Sequence, residues 1–96
     1  MYRIFLQGQL PGVESFDITD KPVELLDLLG TVLRDVDGDI AAAGSFGKSL
    51  VWTGVSMQLN GTSTTWEIEV PCISMDLDTR EWTSFTRIYR AVPVGN

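Results

Sequence analysis

Apolar residues recur at helical spacing in the first half of the chain and alternate with polar residues in the second half. The helical spacing predicts one amphipathic helix over residues 23–36, because the intervening polar side chains fall together on the opposite face. Thr19 or Asp20 is expected to cap its start, with Pro22 in the first turn. Gly38 is a natural residue to follow its end. The apolar positions of this helix are Leu25, Leu26, Leu29, Val32, Leu33 and Val36.

The second half is organised by Asn60-Gly61, a dipeptide that favours a two-residue type I′ turn because both turn positions need positive φ. Such a turn places Val55 opposite Trp66 and makes one face of the hairpin apolar. In the same register Trp52 falls on the other face, next to Glu69.

Two more stretches alternate like strands, one at residues 2–6 and one at 82–92, the second after a turn at 78–81. Beyond Val70 the alternating apolar residues change from even-numbered to odd-numbered positions. Because Pro71 cannot donate a hydrogen bond to a ladder, a bulge or break is expected there.

The register of the last hairpin stays open at this point. A four-residue loop pairs Met75 with Ser84, and a three-residue loop pairs it with Phe85. The element order β-α-β-β-β predicts a single α+β domain over residues 1–96. It has two layers, with one amphipathic helix packed on a mainly antiparallel sheet of four to five strands. One face of such a sheet can stay open to water.

Composition narrows the chemistry. The 96 residues hold seven Lys and Arg, thirteen Asp and Glu, one Cys and no His, and the net charge is −6. The absence of His removes the commonest general base and metal ligand, so no enzyme, metal site or cofactor is expected. An acidic chain is a poor match for a phosphate backbone, which argues against direct nucleic-acid binding. No stretch has the roughly 20 apolar residues of a membrane span, so a cytoplasmic protein without membrane contact is expected.

A glycine-rich segment, Gly44-Ser45-Phe46-Gly47-Lys48-Ser49, ends like a phosphate-binding loop. The motif lacks its first glycine, since Ala42 stands there, and the following residues predict a strand where the motif requires a helix. A connector is the better interpretation. A weak anionic-ligand site on Gly44, Gly47, Lys48 and Ser49 remains as an alternative.

The acidic residues are concentrated. Residues 14–39 hold eight acids and two bases, whereas acids and bases balance in the rest of the chain. Asp35, Asp37 and Asp39 alternate at the predicted helix end, but Ile40 and Phe46 occupy the positions where an EF-hand needs Gly and Glu. Carboxylates fit poorly at the negative end of a helix. They are therefore interpreted either as a solvated turn or as a surface that awaits a cationic partner.

Trp52 on a nominally open sheet face is either covered within the chain or a contact residue, and both hypotheses stand. Aromatic and arginine side chains on the last strand, which is a candidate edge strand, are similar anchors. The candidate partner-binding residues are Asp27, Asp35, Asp37, Asp39, Trp52, Glu69, Trp82, Arg87 and Tyr89.

The leading hypothesis is a non-enzymatic protein–protein interaction module that docks on a basic surface of its partner. Small inhibitors encoded by phages or plasmids offer an analogy of size and charge. The alternatives are a structural subunit of virion or sheath type that self-associates through its edge strands, and the small anionic-ligand binder described above.

Overall fold

The computed structural model describes residues 1–8, 12–61 and 63–95. The protein has two layers. One layer is a helix, α1, over Leu28–Ala43, flanked by short 3₁₀ turns at Leu25–Asp27 and Gly44–Phe46. The other is a sheet. Its strands are β1 (Tyr2–Leu6), β2 (Phe16–Asp17), β3 (Lys48–Trp52), β4 (Ser56–Leu59), β5 (Trp66–Asp76) and β6 (Trp82–Pro93).

The sheet has the strand order β2-β1-β6-β5-β3, with β4 beside β3 on the same side of β5, and its pairs are antiparallel. The predicted α+β class, a helix on a mainly antiparallel sheet, is confirmed. The last strand lies between β1 and β5, so the expectation that it forms an edge was wrong. It pairs with β5 from Trp66↔Ala91 to Met75↔Trp82, so neither of the two predicted partners of Met75, Ser84 or Phe85, lies opposite it.

The helix begins and ends later than the sequence pattern predicts. Val23 exchanges two backbone hydrogen bonds with Tyr2, of 2.7 and 2.8 Å, and this bridge holds the chain extended where the helix was expected to start. At the other end α1 continues through Gly38. The glycine costs the helix about 1 kcal/mol relative to Ala. The good helix formers at 41–43 and the side-chain contacts of Asp39 described below offset that cost.

The later start changes which leucines are buried. The core stripe is Leu28, Val32 and Val36, spaced four residues apart, whereas Leu25, Leu26 and Leu29 are exposed. Residues on α1 and the facing side of the sheet form the core. Its buried members are Ile4, Leu6, Leu28, Val32, Val36, Ile68, Val70, Cys72, Tyr89 and Ala91.

The Asn60 turn is longer than predicted. Leu59 pairs with Trp66, the Asn60 N–H donates to the Thr65 carbonyl (3.0 Å), and the Ser63 N–H donates to Asn60 (3.0 Å). Gly61 has positive φ but Asn60 does not, which excludes a type I′ turn. The longer loop sets Leu59 opposite Trp66 and Met57 opposite the buried Ile68, so the predicted pairing of Val55 with Trp66 was wrong.

Pro71 lies within β5 and leaves that strand intact, but the chain that pairs with β5 beside it is broken into β3 and β4. β5 runs unbroken through Pro71↔Thr86, so the expected break within that strand was wrong. The Thr53 N–H donates to the Pro71 carbonyl (2.8 Å), and Pro71 has no N–H to return to Thr53. β3 therefore ends at Trp52 and β4 begins at Ser56 in a register shifted by one residue.

Candidate functional site

The shift between β3 and β4 reverses the predicted placement of Trp52. Trp52 pairs with the buried Cys72, which puts it on the face that α1 covers. Its Nε1–H donates to Asp37 Oδ1 at 3.4 Å, and the residue is 38% exposed. Trp52 is thus partly covered within the chain by the helix. The expectation that it lies on the open face next to Glu69 was wrong, because β3 does not continue the register of β4.

Arg87 lies under α1 and binds the carboxylates that the sequence presents as a surface cluster. Its Nη1 donates to Asp39 Oδ2 at 2.5 Å and its Nη2 donates to Asp35 Oδ2 at 3.2 Å. Its Nε donates to the Tyr89 hydroxyl at 3.0 Å, and that hydroxyl donates to Asp35 Oδ2 at 2.6 Å. The guanidinium is also 5.6 Å from the centre of the Tyr89 ring. The cationic partner of Asp35 and Asp39 is therefore a residue of the same chain.

The electrostatics of this network favour a fixed charge state. Burial alone lowers the pKa of Arg87, but the Tyr89 oxygen and the Asp39 carboxylate outweigh it, so that the pKa rises above its ordinary value. Burial and the hydrogen bond to Asp35 raise the pKa of Tyr89, against the opposing charge of Arg87. Arg87 stays charged and Tyr89 stays neutral over the physiological range, which makes the cluster a structural tie between helix and sheet.

Burial likewise raises the pKa of Cys72, opposed by the charge of Arg87. The Cys72 thiol contacts the Val70 carbonyl at 3.3 Å and lies in the core. It is a protonated packing residue without the exposure that a nucleophile needs.

The second face of the sheet carries no covering element among residues 1–8, 12–61 and 63–95. Trp82 lies on this face at 65% exposure, opposite Met75, and Glu69 lies opposite Ile88. Both candidate residues belong to this open face. Arg87 and Tyr89 point to the buried face, so the expectation that they are surface anchors together with Trp82 was wrong: the three residues lie on two sides of one strand.

The glycine-rich segment forms a 3₁₀ turn at Gly44–Phe46, and Gly47 then adopts a left-handed conformation (φ 70°) before β3 starts at Lys48. No helix follows Ser49, so the segment is the connector expected from its sequence. Beside it lies an open, largely apolar groove of about 470 Å³. Its lining residues are Ala43, Phe46, Lys48, Leu50, Ser74 and Phe85. Asp76 faces Lys48 across the ladder and its charge opposes anion binding.

The turn before α1 is the most exposed apolar feature of the helical layer. Leu26 is 95% exposed, and Glu24 and Asp27 flank it. Their carboxylates, and that of Asp20, form no hydrogen bond or ion pair with the described residues. We call Glu24, Leu26 and Asp27 the acidic tip. Helical spacing predicts Leu26 to be a core residue, and this prediction was wrong because the helix starts later, at Leu28.

Within the part of the chain that the structure describes, no three Cys, Asp or Glu residues are arranged to hold a metal ion. No helix there is both long and apolar enough to cross a membrane. Comparison of the chain with protein-family models, with curated proteins and with solved structures finds no match.

Proposed function

We propose that this chain is a protein-binding module, without catalytic activity of its own, that docks its acidic tip on a basic surface of a partner protein. The observation that carries the proposal is the 95% exposure of Leu26 between two carboxylates, those of Glu24 and Asp27, that have no partner among the described residues. An apolar side chain at the centre of a contact supplies affinity, and the charged residues around it supply orientation and association rate.

Charge distribution supports this choice of surface. Asp35 and Asp39 are bound to Arg87, and Asp37 accepts from Trp52, so these three carboxylates have partners within the chain. The acidic tip has none among the described residues, with Lys21 as the nearest cation in sequence. A basic partner would neutralise carboxylates that the fold leaves exposed.

The absence of His from the sequence supports a role without catalysis. The small anionic-ligand alternative at Gly44–Lys48 is less well supported, because Asp76 opposes an anion beside Lys48. The comparison of phage- or plasmid-encoded inhibitors with this chain rests on size and charge alone.

The test uses a pair of charge-matched variants. Glu24→Lys with Asp27→Lys reverses two charges of the acidic tip, and Asp78→Lys with Glu81→Lys makes the same change in the exposed β5–β6 turn. Partners captured from the source cell by the unaltered chain are identified, purified and measured by calorimetry at two salt concentrations. We expect binding to weaken at high salt, and roughly tenfold or more on reversal of the tip.

The turn variant is expected to bind like the unaltered chain apart from a small, uniform effect of net charge. A second pair separates the apolar contribution: Leu26→Ser is expected to weaken binding and Leu77→Ser, also at an exposed leucine, is not. Equal losses in the tip and turn variants, or binding that is indifferent to both tip changes, would contradict the proposal.

A further inference from the structure

From Ser49 to Trp66 the chain contains no Asp, Glu, Lys or Arg, although its other segments hold thirteen acids and seven bases. This uncharged segment supplies both β3, apart from Lys48 at its start, and β4. Its exposed apolar residues are Val51, Trp52, Val55 and Leu59. Natural edge strands are usually protected by charges or proline, and this one has neither after Lys48.

β3 and β4 form one edge of the sheet, and their outer backbone groups have no partner among the described residues. The hydrogen bond from Thr53 to Pro71 fixes the alternation along β3. Odd-numbered residues direct their backbone groups toward β5, so Lys48, Leu50 and Trp52 direct theirs away from the sheet.

The opposite edge of the sheet is covered. β2 pairs with β1 at Phe5 and Leu6, the Ile18 N–H donates to the Ile4 carbonyl (2.9 Å), and Val23 bonds to Tyr2. A strand added to this molecule therefore has a free ladder at β3 and none of comparable length at β1.

We propose that two copies of this chain pair through β3, antiparallel, about a two-fold axis at Leu50. This register gives Leu50 two backbone hydrogen bonds with its counterpart. Lys48 of each copy pairs with Trp52 of the other. The six hydrogen bonds join the two sheets into one continuous sheet.

Charge selects a second copy over another occupant. In a two-fold contact the same surface of both copies meets, so a charged residue near the axis lies close to the identical residue of the second copy and is repelled by it. A chain of net charge −6 meets its copy at least cost through its uncharged segment. The charge at the ends of the contact is complementary. Lys48 of one copy lies beside Trp52 of the other, whose indole is bonded to Asp37.

The first experiment is sedimentation equilibrium of the full chain over a range of concentrations. We expect a monomer–dimer equilibrium that goes no further, because the β1 edge is covered. Val51→Lys, at the edge, is expected to raise the dimer dissociation constant about tenfold or more. Ser84→Lys, on the open face in the central strand β6, adds the same charge away from the contact and is expected to leave the constant unchanged. Thermal melts monitored by circular dichroism verify that both variants fold.

Cross-linking tests the register. In the proposed pairing Ser49 lies opposite Val51 of the second copy, so Ser49→Cys chains mixed with Val51→Cys chains, both with Cys72→Ala, are expected to form disulfide-linked heterodimers in excess of homodimers. Monomers at every concentration, growth beyond dimers, an unchanged constant in Val51→Lys or an excess of homodimeric cross-links would each overturn the proposal. Reversal of the acidic tip is expected to leave the dimer intact, so the two proposals can fail separately.

Discussion

The Arg87 guanidinium fastens α1 to the centre of the sheet through two carboxylates one helical turn apart. Asp35 accepts from both Arg87 and Tyr89, whereas Asp39 accepts from Arg87 alone and is more exposed. A buried cation that loses an acceptor bears an uncompensated cost of desolvation. The two carboxylates therefore contribute unequally to stability, with Asp35 the larger contributor.

Asp35→Ala is expected to lower the free energy of unfolding by about 1–3 kcal/mol, because it leaves Arg87 Nη2 and the Tyr89 hydroxyl without their acceptor. Asp39→Ala is expected to cost less. Asp27→Ala serves as the control, since that exposed carboxylate has no side-chain partner among the described residues. Urea unfolding curves measure all three, and an Asp35→Ala curve that matches the Asp27→Ala curve would refute the ranking.

Hydrophobic spacing correctly predicts most of the secondary-structure elements. It fails for the ends of α1, which depend on contacts with residues distant in the sequence. Spacing alone identifies one helix, the strand near the start and the β-rich second half. It cannot show that Val23 is bonded to Tyr2, and it cannot show that Arg87 binds Asp39 beyond the predicted helix end. Both ends of α1 therefore shift toward the C-terminus.

The candidate site was harder to predict for a related reason. A strand pattern tells which residues share a face, but one shift in register between β3 and β4 moves Trp52 to the opposite side. The sequence signal for that shift is Pro71. Pro71 has no N–H to donate to the carbonyl of Thr53, which follows β3, and this pairing of Pro71 with Thr53 is known only once the register is known.

Pro71→Val tests this explanation of the strand break. The new amide at position 71 is expected to donate to the Thr53 carbonyl and to extend the β3–β5 ladder by one residue. Amide hydrogen exchange followed by NMR measures it directly, since a hydrogen-bonded amide exchanges slowly. A fast-exchanging amide at position 71 in a folded variant would show that the break has another cause.

At the scale of the whole molecule, two carboxylates outside the core make stability depend on pH. Backbone hydrogen bonds from Thr79 and then Asp78 lower the pKa of Asp76. Burial raises the pKa of Asp17, but hydrogen bonds from the hydroxyl and backbone of Thr19, with the Arg3 charge, lower it overall. In both cases the folded chain binds the proton less tightly than the unfolded chain.

Their stabilising contribution is therefore complete above the ordinary Asp pKa of about 3.9 and is lost as pH falls through the lower folded values. We expect the free energy of unfolding to decline in that acidic window. Asp76→Ala is expected to flatten the decline and Asp78→Ala is not, since the Asp78 carboxylate accepts no hydrogen bond from the described residues. Unfolding curves recorded through this pH range distinguish the variants, and equal slopes in both would refute the assignment.

The position of β6 between β1 and β5 has a consequence for biosynthesis. β1 is synthesised before every other described strand, yet the strand that completes its ladder, Trp82–Pro93, follows the other five. Until then Ile4 and Leu6 lack the neighbours that bury them, and the helix lacks the arginine that fastens it. A topology dominated by such distant pairings folds slowly for its length. The nascent chain must therefore stay soluble while unfolded, and the acidic residues of its first half suit that interval, since like charges keep nascent chains apart.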